Sequence, residues 1–140
     1  MLLRLDRFLA DLGIGTRKDI RQIIRSGRVT VNGVVCRIPD RKTDTAADAV
    51  SVDGRVFPYR KYVTVMMNKP AGVLSATEDG RDKTAADLLS GRYAFMDLKP
   101  AGRLDKDAVG LLLMTNDGAL IHGIISPNRH VPKRYFVELD

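Results

Sequence analysis

The chain has 140 residues, of which 44% are hydrophobic and 29% are charged, a composition typical of folded globular proteins that excludes a largely disordered one. No apolar run approaches the roughly 18 residues of a membrane span, and charges at positions 4, 6 and 7 interrupt the N-terminal segment, unlike the apolar core of a signal peptide. Cys36 is the only cysteine, which excludes an intramolecular disulfide and a cysteine-cluster metal site. We therefore expect a cytoplasmic protein that does not associate with membranes.

The net charge of +6 is concentrated in the first third of the chain. Residues 1–42 contain ten Lys or Arg and only four Asp, so this segment accounts for the whole excess and the remaining residues are neutral in sum. A basic segment beside a neutral one predicts a module that binds a polyanion, joined to a second domain.

Two short helices are predicted at the N-terminal side. Apolar residues spaced i, i+3, i+4, i+7 define the first helix, which Gly13 ends. Thr16 is a predicted N-cap of the second helix, with Asp19 completing a capping box. Gly27 suits the left-handed position after the end of that helix.

Hairpins are predicted to follow the two helices. Asn32-Gly33 joins the segments RVTV and VVCRI and is the strongest short hairpin signal. Residues 40–48 are polar and aperiodic, which predicts a loop. The alternating segment AVSVDGRVF then predicts a second hairpin, with its turn at Asp53-Gly54.

Arginines on the second helix are predicted to bind phosphate. Arg17, Arg21, Arg25 and Arg28 recur at near-helical spacing on the side away from the isoleucines, and the sequence shows no matching acidic partners. A row of arginines of this kind favours contacts to a nucleic acid backbone. The alternative is a helix face that is merely solvated.

The order of two helices and a hairpin, with the motifs RxDxxLA, TR at a helix start and GxVxVNG, resembles the RNA-binding domain named after small-subunit ribosomal protein S four. The resemblance covers about residues 1–58 and implies that the helix pair binds structured RNA. The implied RNA-binding residues are Arg4, Arg7, Arg17, Lys18, Arg21, Arg25 and Arg28.

The second part of the chain has the pattern of a mixed α+β domain. After a linker at residues 59–62, YVTVMM predicts a strand running into the turn NKPAG. Thr84 is a predicted cap of a helix through Leu89. The run from Val109 to Met114 predicts a buried strand. Asn116 or Asp117 is predicted to cap a helix over residues 118–125, and KRYFVELD alternates like a final strand.

The sequence lacks a phosphate-binding glycine loop, a dinucleotide fingerprint and His/Cys metal spacing. His122 and His130 are eight residues apart with no paired ligand, as expected of surface or supporting histidines. Asp105 and Asp107 would face the same way in an extended segment and could bind a divalent cation. The neighbouring arginine and lysine compete for these carboxylates, so we predict no metal site.

Three further motifs identify a family. NKPAG at 68–72, AGRLDKDAVGLLLMTNDG at 101–118 and PKRY at 132–135 resemble the successive motifs of pseudouridine synthases, in the subgroup of the small-subunit ribosomal RNA pseudouridine synthase A family. The resemblance extends from Leu5 to Asp140. It implies an isomerase that converts a uridine of ribosomal RNA to pseudouridine without a cofactor, with ribosomal RNA and assembling ribosomal subunits as partners.

The resemblance also implies roles for individual residues. Asp105 corresponds to the catalytic aspartate, which acts as a nucleophile toward the sugar or as a base, and nearby Arg103 would favour its ionised form. Arg103 would also fill the space that the target base vacates. Tyr135 would stack on the base, and Lys133 would contact phosphate or support the structure. The NKPAG segment would act as scaffold.

We therefore predict an α+β protein with three segments. A small α/β RNA-binding domain (1–58, helix–helix–hairpin) and the linker precede the N-terminal part of a mainly antiparallel α+β catalytic domain (63–140). This second domain is expected to be incomplete, because few strands and two helices occupy about 80 residues. Ala108 replaces a threonine usual in the family pattern. The alternative function is a non-catalytic, RNA-binding or ribosome-associated protein.

Overall fold

The computed structural model describes residues 1–139, and within them the chain forms short antiparallel sheets and three α-helices. The helices are α1 (Leu5–Asp11), α2 (Arg17–Arg25) and α3 (Gly118–Ile125). Single 3₁₀ turns lie at Ala86–Leu88, Gly91–Phe95 and Pro127–Arg129. The strands are β1 (Leu2–Arg4), β2 (Val29–Val31), β3 (Val34–Val35), β4 (Lys42–Asp44), β5 (Val50–Val52), β6 (Arg55–Val56), β7 (Thr64–Lys69), β8 (Lys99–Pro100) and β9 (Gly110–Thr115).

These strands form three sheets. The first pairs β1 with β4, the second has the order β3-β2-β5-β6, and the third has the order β7-β9-β8. All the ladders between these strands are antiparallel, and one isolated parallel bridge joins Leu74 to Thr84. The predicted α+β class is confirmed.

Local hydrogen bonds set the ends of α2 as the sequence predicts. The Thr16 hydroxyl accepts from the Asp19 backbone N–H at 3.2 Å, and the Asp19 carboxylate accepts from the Thr16 N–H at 3.2 Å. A cap of this kind is worth about 1 kcal/mol. Gly27, with φ +82°, adopts the left-handed conformation just past the helix and lets the chain turn into β2.

The two predicted hairpins form and combine into one sheet. Both central residues of each turn have positive φ, at 53° and 79° for Asn32-Gly33 and at 50° and 80° for Asp53-Gly54, as a type I′ turn requires. The inner strands of the two hairpins, β2 and β5, pair with each other, and Val29 lies opposite Val52. The resulting sheet covers the apolar faces of α1 and α2.

The prediction of a loop over residues 40–48 is wrong at its centre. Lys42–Asp44 forms β4 and pairs with β1, with Leu3 opposite Thr43. Thr43 is fully buried. The segment is polar and too short to show alternation, and its partner lies about forty residues away, so no local pattern indicates this pairing.

Two separate hydrophobic clusters support the described chain. The first joins α1 and α2 to the sheet of β2 and β5, and the second lies under the sheet of β7, β9 and β8. Tyr59, at the predicted linker, packs against the first cluster with its ring centroid 5.1 Å from that of Phe8. Its hydroxyl donates to Asp11 at 2.9 Å, and burial together with this hydrogen bond raises the pKa of Tyr59 to about 12.

The predicted strand before Thr115 forms as β9, but it is not buried on both faces. Leu112 and Met114 point into the second cluster, whereas Leu111 is 64% exposed. β9 is the central strand of an antiparallel sheet, and such sheets often have only one covered face. The continuous apolar run therefore predicts the strand correctly and its burial wrongly.

The last predicted elements have mixed outcomes. α3 forms as predicted, and the Asp117 side chain caps it by accepting from the N–H groups of Ala119 and Leu120. Thr84 and Asp87 form the expected cap, but only a 3₁₀ turn follows. Residues 133–139 form no strand, because no strand of the described chain lies beside them; Asp140, the last residue of that prediction, lies outside the described residues.

None of the helices described is long and apolar enough to cross a membrane.

Candidate functional site

Asp105 lies in the connection between β8 and β9, with its side chain exposed to solvent. Its backbone carbonyl accepts from the Ala108 N–H at 3.1 Å and closes a turn. Among residues 1–139 no hydrogen bond or ion pair engages its carboxylate. The group is therefore free to meet a ligand, while the backbone around it is held on both sides.

Ser75 holds the residue before Asp105. Its hydroxyl donates to the Leu104 carbonyl at 2.9 Å and accepts from the Leu104 N–H at 2.9 Å. Ser75 is buried, with 8% of its surface exposed. This pair of hydrogen bonds fixes the peptide groups on both sides of Leu104 and so sets the direction in which Asp105 leaves the loop.

Lys69 and Gly72 of the NKPAG segment hold the residue after Asp105. The Lys106 carbonyl accepts from the Gly72 N–H at 2.8 Å and from Lys69 Nζ at 3.1 Å. Lys69 is fully buried, and its Nζ also donates to the carbonyls of Pro70 at 2.9 Å and Val73 at 2.8 Å. All three donors of the ammonium group are thus used, and the NKPAG segment supports the Asp105 loop as a scaffold.

A surface ion pair joins the same loop to the preceding segment. Lys106 Nζ lies 2.9 Å from the Asp82 carboxylate, and this hydrogen bond raises the pKa of Lys106. The Asp79 carboxylate accepts from the N–H groups of Arg81 and Asp82 at 2.8 Å, which lowers the pKa of Asp79. The Asp105 loop therefore has a second, solvent-exposed connection in addition to the buried one.

The other residues assigned by the resemblance are not joined to Asp105. Arg103 is exposed, and no ion pair joins it to Asp105 within the described residues. Tyr135 is 61% exposed in the segment after α3. Lys133 Nζ donates to the Ile124 carbonyl at 3.2 Å, at the C-terminal end of α3, where a cation is favourable.

Two arginines of the predicted row, Arg21 and Arg28, have acidic partners, contrary to the prediction, whereas the other two have none among the described residues. Two arginines before that row are paired as well. Arg4 lies 2.8 Å from Asp6, Arg7 lies 2.6 Å from Asp11, and Arg21 lies 3.7 Å from Asp6. The hydrogen bond from Arg4 lowers the pKa of Asp6. Two of these pairs bring together residues only two or four positions apart, and the third crosses between the packed helices.

Arg28 does not belong to the row of arginines on α2. The helix ends at Arg25, and Gly27 reverses the chain, so Arg28 instead donates to both carboxylate oxygens of Asp53 at 2.9 and 2.5 Å. This interaction raises the pKa of Arg28 and lowers that of Asp53. The exposed basic residues of α2 without an ion pair to any described residue are Arg17, Lys18 and Arg25.

A wide groove lies elsewhere than the Asp105 loop. It has a volume of about 1170 Å³ and runs between the α1–α2 pair and residues 94–97. Tyr62 and Phe95 contribute to its walls. Sequence reasoning missed this groove, because Tyr62 lies in the predicted linker and Phe95 belongs to no motif.

Two family models match the chain. The model described as RNA pseudouridylate synthase matches residues 63–140, and the S4 domain model matches residues 3–45. The two matched segments correspond to the parts that contain Asp105 and the basic helices.

Several curated proteins are similar over nearly the whole chain. An uncharacterized RNA pseudouridine synthase of Bacillus subtilis is 45% identical over 137 residues, which are 98% of this chain and 57% of that protein. The ribosomal small subunit pseudouridine synthase A of Vibrio cholerae is 41% identical over 98% of this chain and 58% of its own length. A dual-specificity RNA pseudouridine synthase of Salmonella typhi is 34% identical over 98% of this chain and 47% of its own.

A crystal structure of a pseudouridylate synthase is 30% identical, with a TM-score of 0.45, over 91% of this chain and 54% of that one. The chain thus spans between about half and three fifths of the length of these relatives.

Proposed function

The chain belongs to the RNA pseudouridylate synthase family, and we propose that the protein isomerises a uridine of RNA to pseudouridine, with Asp105 as the catalytic carboxylate. The observation that supports this role is the way the loop is held. Hydrogen bonds from the buried side chains of Ser75 and Lys69 hold the carbonyls of the residues before and after Asp105, while its carboxylate is exposed and unpaired among the described residues. A group that must meet a large substrate in a defined direction needs this combination.

The reaction breaks the bond between C1′ of the ribose and N1 of uracil, turns the base and forms a bond from C1′ to C5. The proton on C5 is then lost and N1 gains a proton, so the product is an isomer of the substrate. A carboxylate can promote it as a nucleophile toward C1′ or as a base that removes a proton from the sugar. Both roles require the ionised form. We propose no metal and no organic cofactor, because the atoms of the product are those of the substrate.

Access to the target requires the base to leave its stack. We propose that Arg103, exposed two residues before Asp105, fills the space that the base vacates. We propose that the ring of Tyr135 stacks on the extruded uracil, because more than half of its surface is available. The contacts of Lys133 with the end of α3 favour the supporting role for this residue.

We propose that the N-terminal unit, residues 1–58, attaches the protein to the same RNA. Arg17, Lys18 and Arg25 have no carboxylate partner in the described chain, so they are the first candidates for phosphate contacts. Each of the remaining candidates forms an ion pair with an aspartate, and its guanidinium keeps further N–H donors for phosphate. These candidates are Arg4, Arg7, Arg21 and Arg28.

We propose ribosomal RNA as the substrate and the cytoplasm as the place of action. The support is the similarity to the Vibrio cholerae protein, which is named for the small ribosomal subunit. We propose ribosomal subunits during assembly as the corresponding partner. We further propose that residues 63–140 form the catalytic unit, since a separate hydrophobic cluster supports them.

Replacing Asp105 tests the catalytic proposal. Asp105→Asn keeps the size of the side chain and removes its charge, and we expect pseudouridine formation in small-subunit RNA to fall by about 10²- to 10⁴-fold. The product is mapped chemically after incubation with the chain. Asp107→Asn is the matched control, because it removes a carboxylate two residues away, and its activity is expected to stay near that of the unchanged chain.

Equal product from the unchanged chain and from Asp105→Asn would overturn the catalytic assignment and support the non-catalytic RNA-binding alternative. Addition of a chelator is expected to leave the rate unchanged. A loss of activity with chelator would instead indicate a divalent cation at Asp105 and Asp107.

The salt dependence of RNA binding tests the attachment surface. If Lys18 and Arg25 each neutralise one phosphate, the double variant Lys18→Ala/Arg25→Ala flattens the slope of log affinity against log salt by about 1.4–1.8 units. Arg28→Ala is the control, since its guanidinium is bound to Asp53 and a smaller change is expected. An unchanged slope in the double variant would exclude these residues as phosphate contacts.

A further inference from the structure

The groove between the α1–α2 pair and residues 94–97 has features that the proposed catalytic and attachment roles do not use. Its volume of about 1170 Å³ exceeds the roughly 300–1,000 Å³ of a pocket for one small molecule. It is open to solvent and lined by residues of both units. Its size and openness suit a segment of a polymer better than a metabolite.

One side of the groove is basic. Arg7, Arg17 and Arg21 line it from α1 and α2, and Arg17 has no ion pair within the described residues. The acids Asp6 and Asp11 also line the groove, but they are engaged by Arg4, Arg7 and Arg21. Guanidinium donors therefore remain available for phosphate on this side.

The other side of the groove presents aromatic rings. Phe95 is 49% exposed and Tyr62 is 52% exposed, although the ammonium of Lys61 covers part of the Tyr62 ring at 4.8 Å from its centroid. An apolar ring that stays half exposed beside a row of arginines is typical of surfaces that bind single-stranded nucleic acid, where bases stack on the rings and phosphates follow the cations.

Close backbone packing fixes the distance between the two sides. Gly13, with φ +68°, lies so near residue 92 that a β-carbon there would overlap the Arg92 carbonyl oxygen. Only glycine permits this approach without strain. The contact joins the loop between α1 and α2 to the 3₁₀ turn that ends at Phe95, and so fixes the position of that turn relative to the basic helices.

We propose that this groove binds a short unpaired segment of the substrate RNA, with bases stacked on Phe95 and Tyr62 and phosphates on Arg17 and Arg21. This inference rests on the proposed function, since it assigns a second contact region for the same RNA. A base-paired stem cannot use the rings, because its bases are already stacked on one another. The groove therefore selects RNA in which the attachment site adjoins a single-stranded stretch.

The test compares two labelled RNAs with the 140-residue chain. One is a uridine oligomer of about ten nucleotides, and the other is a hairpin with a fully paired stem and a short closed loop. For Phe95→Ala we expect affinity for the oligomer to fall about tenfold, within the range for one lost base stack. Affinity for the hairpin is expected to change less than about twofold. Fluorescence anisotropy at one fixed salt concentration measures both.

Two matched variants separate stacking from folding. Phe95→Leu keeps an apolar side chain and loses the ring, so it is expected to weaken oligomer binding nearly as much as Phe95→Ala. Phe136→Ala removes an aromatic side chain that is 88% exposed and does not line the groove, and neither affinity is expected to change. Thermal melting followed by circular dichroism compares the folding of each variant with that of the unchanged chain, and equal melting temperatures are expected.

Equal loss for both RNAs, or no loss for either, overturns the groove proposal. If Phe95→Ala has no effect while Lys18→Ala/Arg25→Ala still weakens hairpin binding, the groove proposal fails and RNA attachment through α2 stands. If neither variant weakens either RNA, the attachment proposal fails as well.

Discussion

The Asp105 loop and the charged face of α1 and α2 present their functional groups in opposite ways. In the loop, buried hydrogen bonds hold the backbone and leave the carboxylate free. On the helices, regular secondary structure holds the backbone, and several of the charged side chains pair with one another at the surface. Under the proposed roles, the group that acts at one atom is held by the interior, whereas the groups that attract phosphate need only be numerous and exposed.

The two arrangements also differ in energy. A buried ammonium that donates to three carbonyls leaves unsatisfied acceptors if it is removed, and each such acceptor costs about 1–3 kcal/mol. An exposed ion pair contributes a median of about 0–1 kcal/mol. Substitutions behind the Asp105 loop should therefore affect folding and activity together, while substitutions on the helix face should affect mainly RNA binding.

The largest effect is expected from Lys69→Met. Methionine matches the length of the apolar part of lysine but donates no hydrogen bond. The carbonyls of Pro70 and Val73 therefore lose this donor, and the Lys106 carbonyl keeps only the Gly72 N–H. We expect the free energy of unfolding to fall by about 3 kcal/mol or more. Because the chain contains no tryptophan, urea denaturation is followed by circular dichroism.

Lys99→Met is the matched control for this change. Its ammonium is exposed and lies 3.6 Å from Asp97, so the same substitution removes only a surface charge. If Lys69→Met and Lys99→Met lowered the stability equally, the Asp105 loop would not depend on the buried ammonium, and the contrast with the helix face would disappear.

A smaller effect is expected from Ser75→Ala. Loss of the hydroxyl leaves the Leu104 N–H and carbonyl without their partner, at a cost of about 1–2 kcal/mol in the free energy of unfolding. Pseudouridine formation should fall more than RNA affinity does, because Asp105 follows Leu104 directly. Ser75→Thr retains the hydroxyl and is expected to keep most of the activity. If Ser75→Thr lost as much activity as Ser75→Ala, the activity would depend on the space around Ser75 and not on its hydroxyl.

The smallest effect is expected from Asp6→Asn on the helix face, and it depends on pH. The folded-state pKa of Asp6 is below its ordinary value of 3.8 because of Arg4. Its stabilisation is therefore fully present above about pH 3.8 and is lost as the pH falls through the folded-state pKa. At pH 7 the variant should be less stable by less than about 1 kcal/mol, and the difference should shrink toward pH 2.

Denaturation at the two pH values measures this change, with Glu78→Gln as a control at an exposed acid. A difference between Asp6→Asn and the unchanged chain that stayed constant with pH would show that the carboxylate acts through packing and not through its charge.

Elements defined by neighbouring residues could be predicted from the sequence. The capping box at Thr16, the cap at Asp117 and the two hairpin turns all form as expected, since each depends on hydrogen bonds or backbone conformations within a few positions. The family motifs likewise point to the Asp105 loop and its NKPAG scaffold, because those residues occur in recognisable order.

Features that depend on distant residues could not be predicted in this way. β4 is polar and pairs with the N-terminal strand, and the partner of Arg28 lies 25 residues away. The exposed face of β9 and the irregular path of residues 133–139 also differ from the local apolar pattern. A periodic pattern describes the chain itself and says little about whether another segment lies against it.

By itself, the sequence determined the helices, the turns, the uneven charge and the motif that contains Asp105, because local sterics, capping and composition depend on residues close in the chain. Only the tertiary structure decided which arginines stay unpaired among the described residues and how Ser75 and Lys69 hold the two neighbours of Asp105. It also decided that two aromatic rings line the same groove as the basic helices. Most of these properties arise from hydrogen bonds, ion pairs and packing between segments that are distant in the sequence, and such contacts form only when the chain has folded.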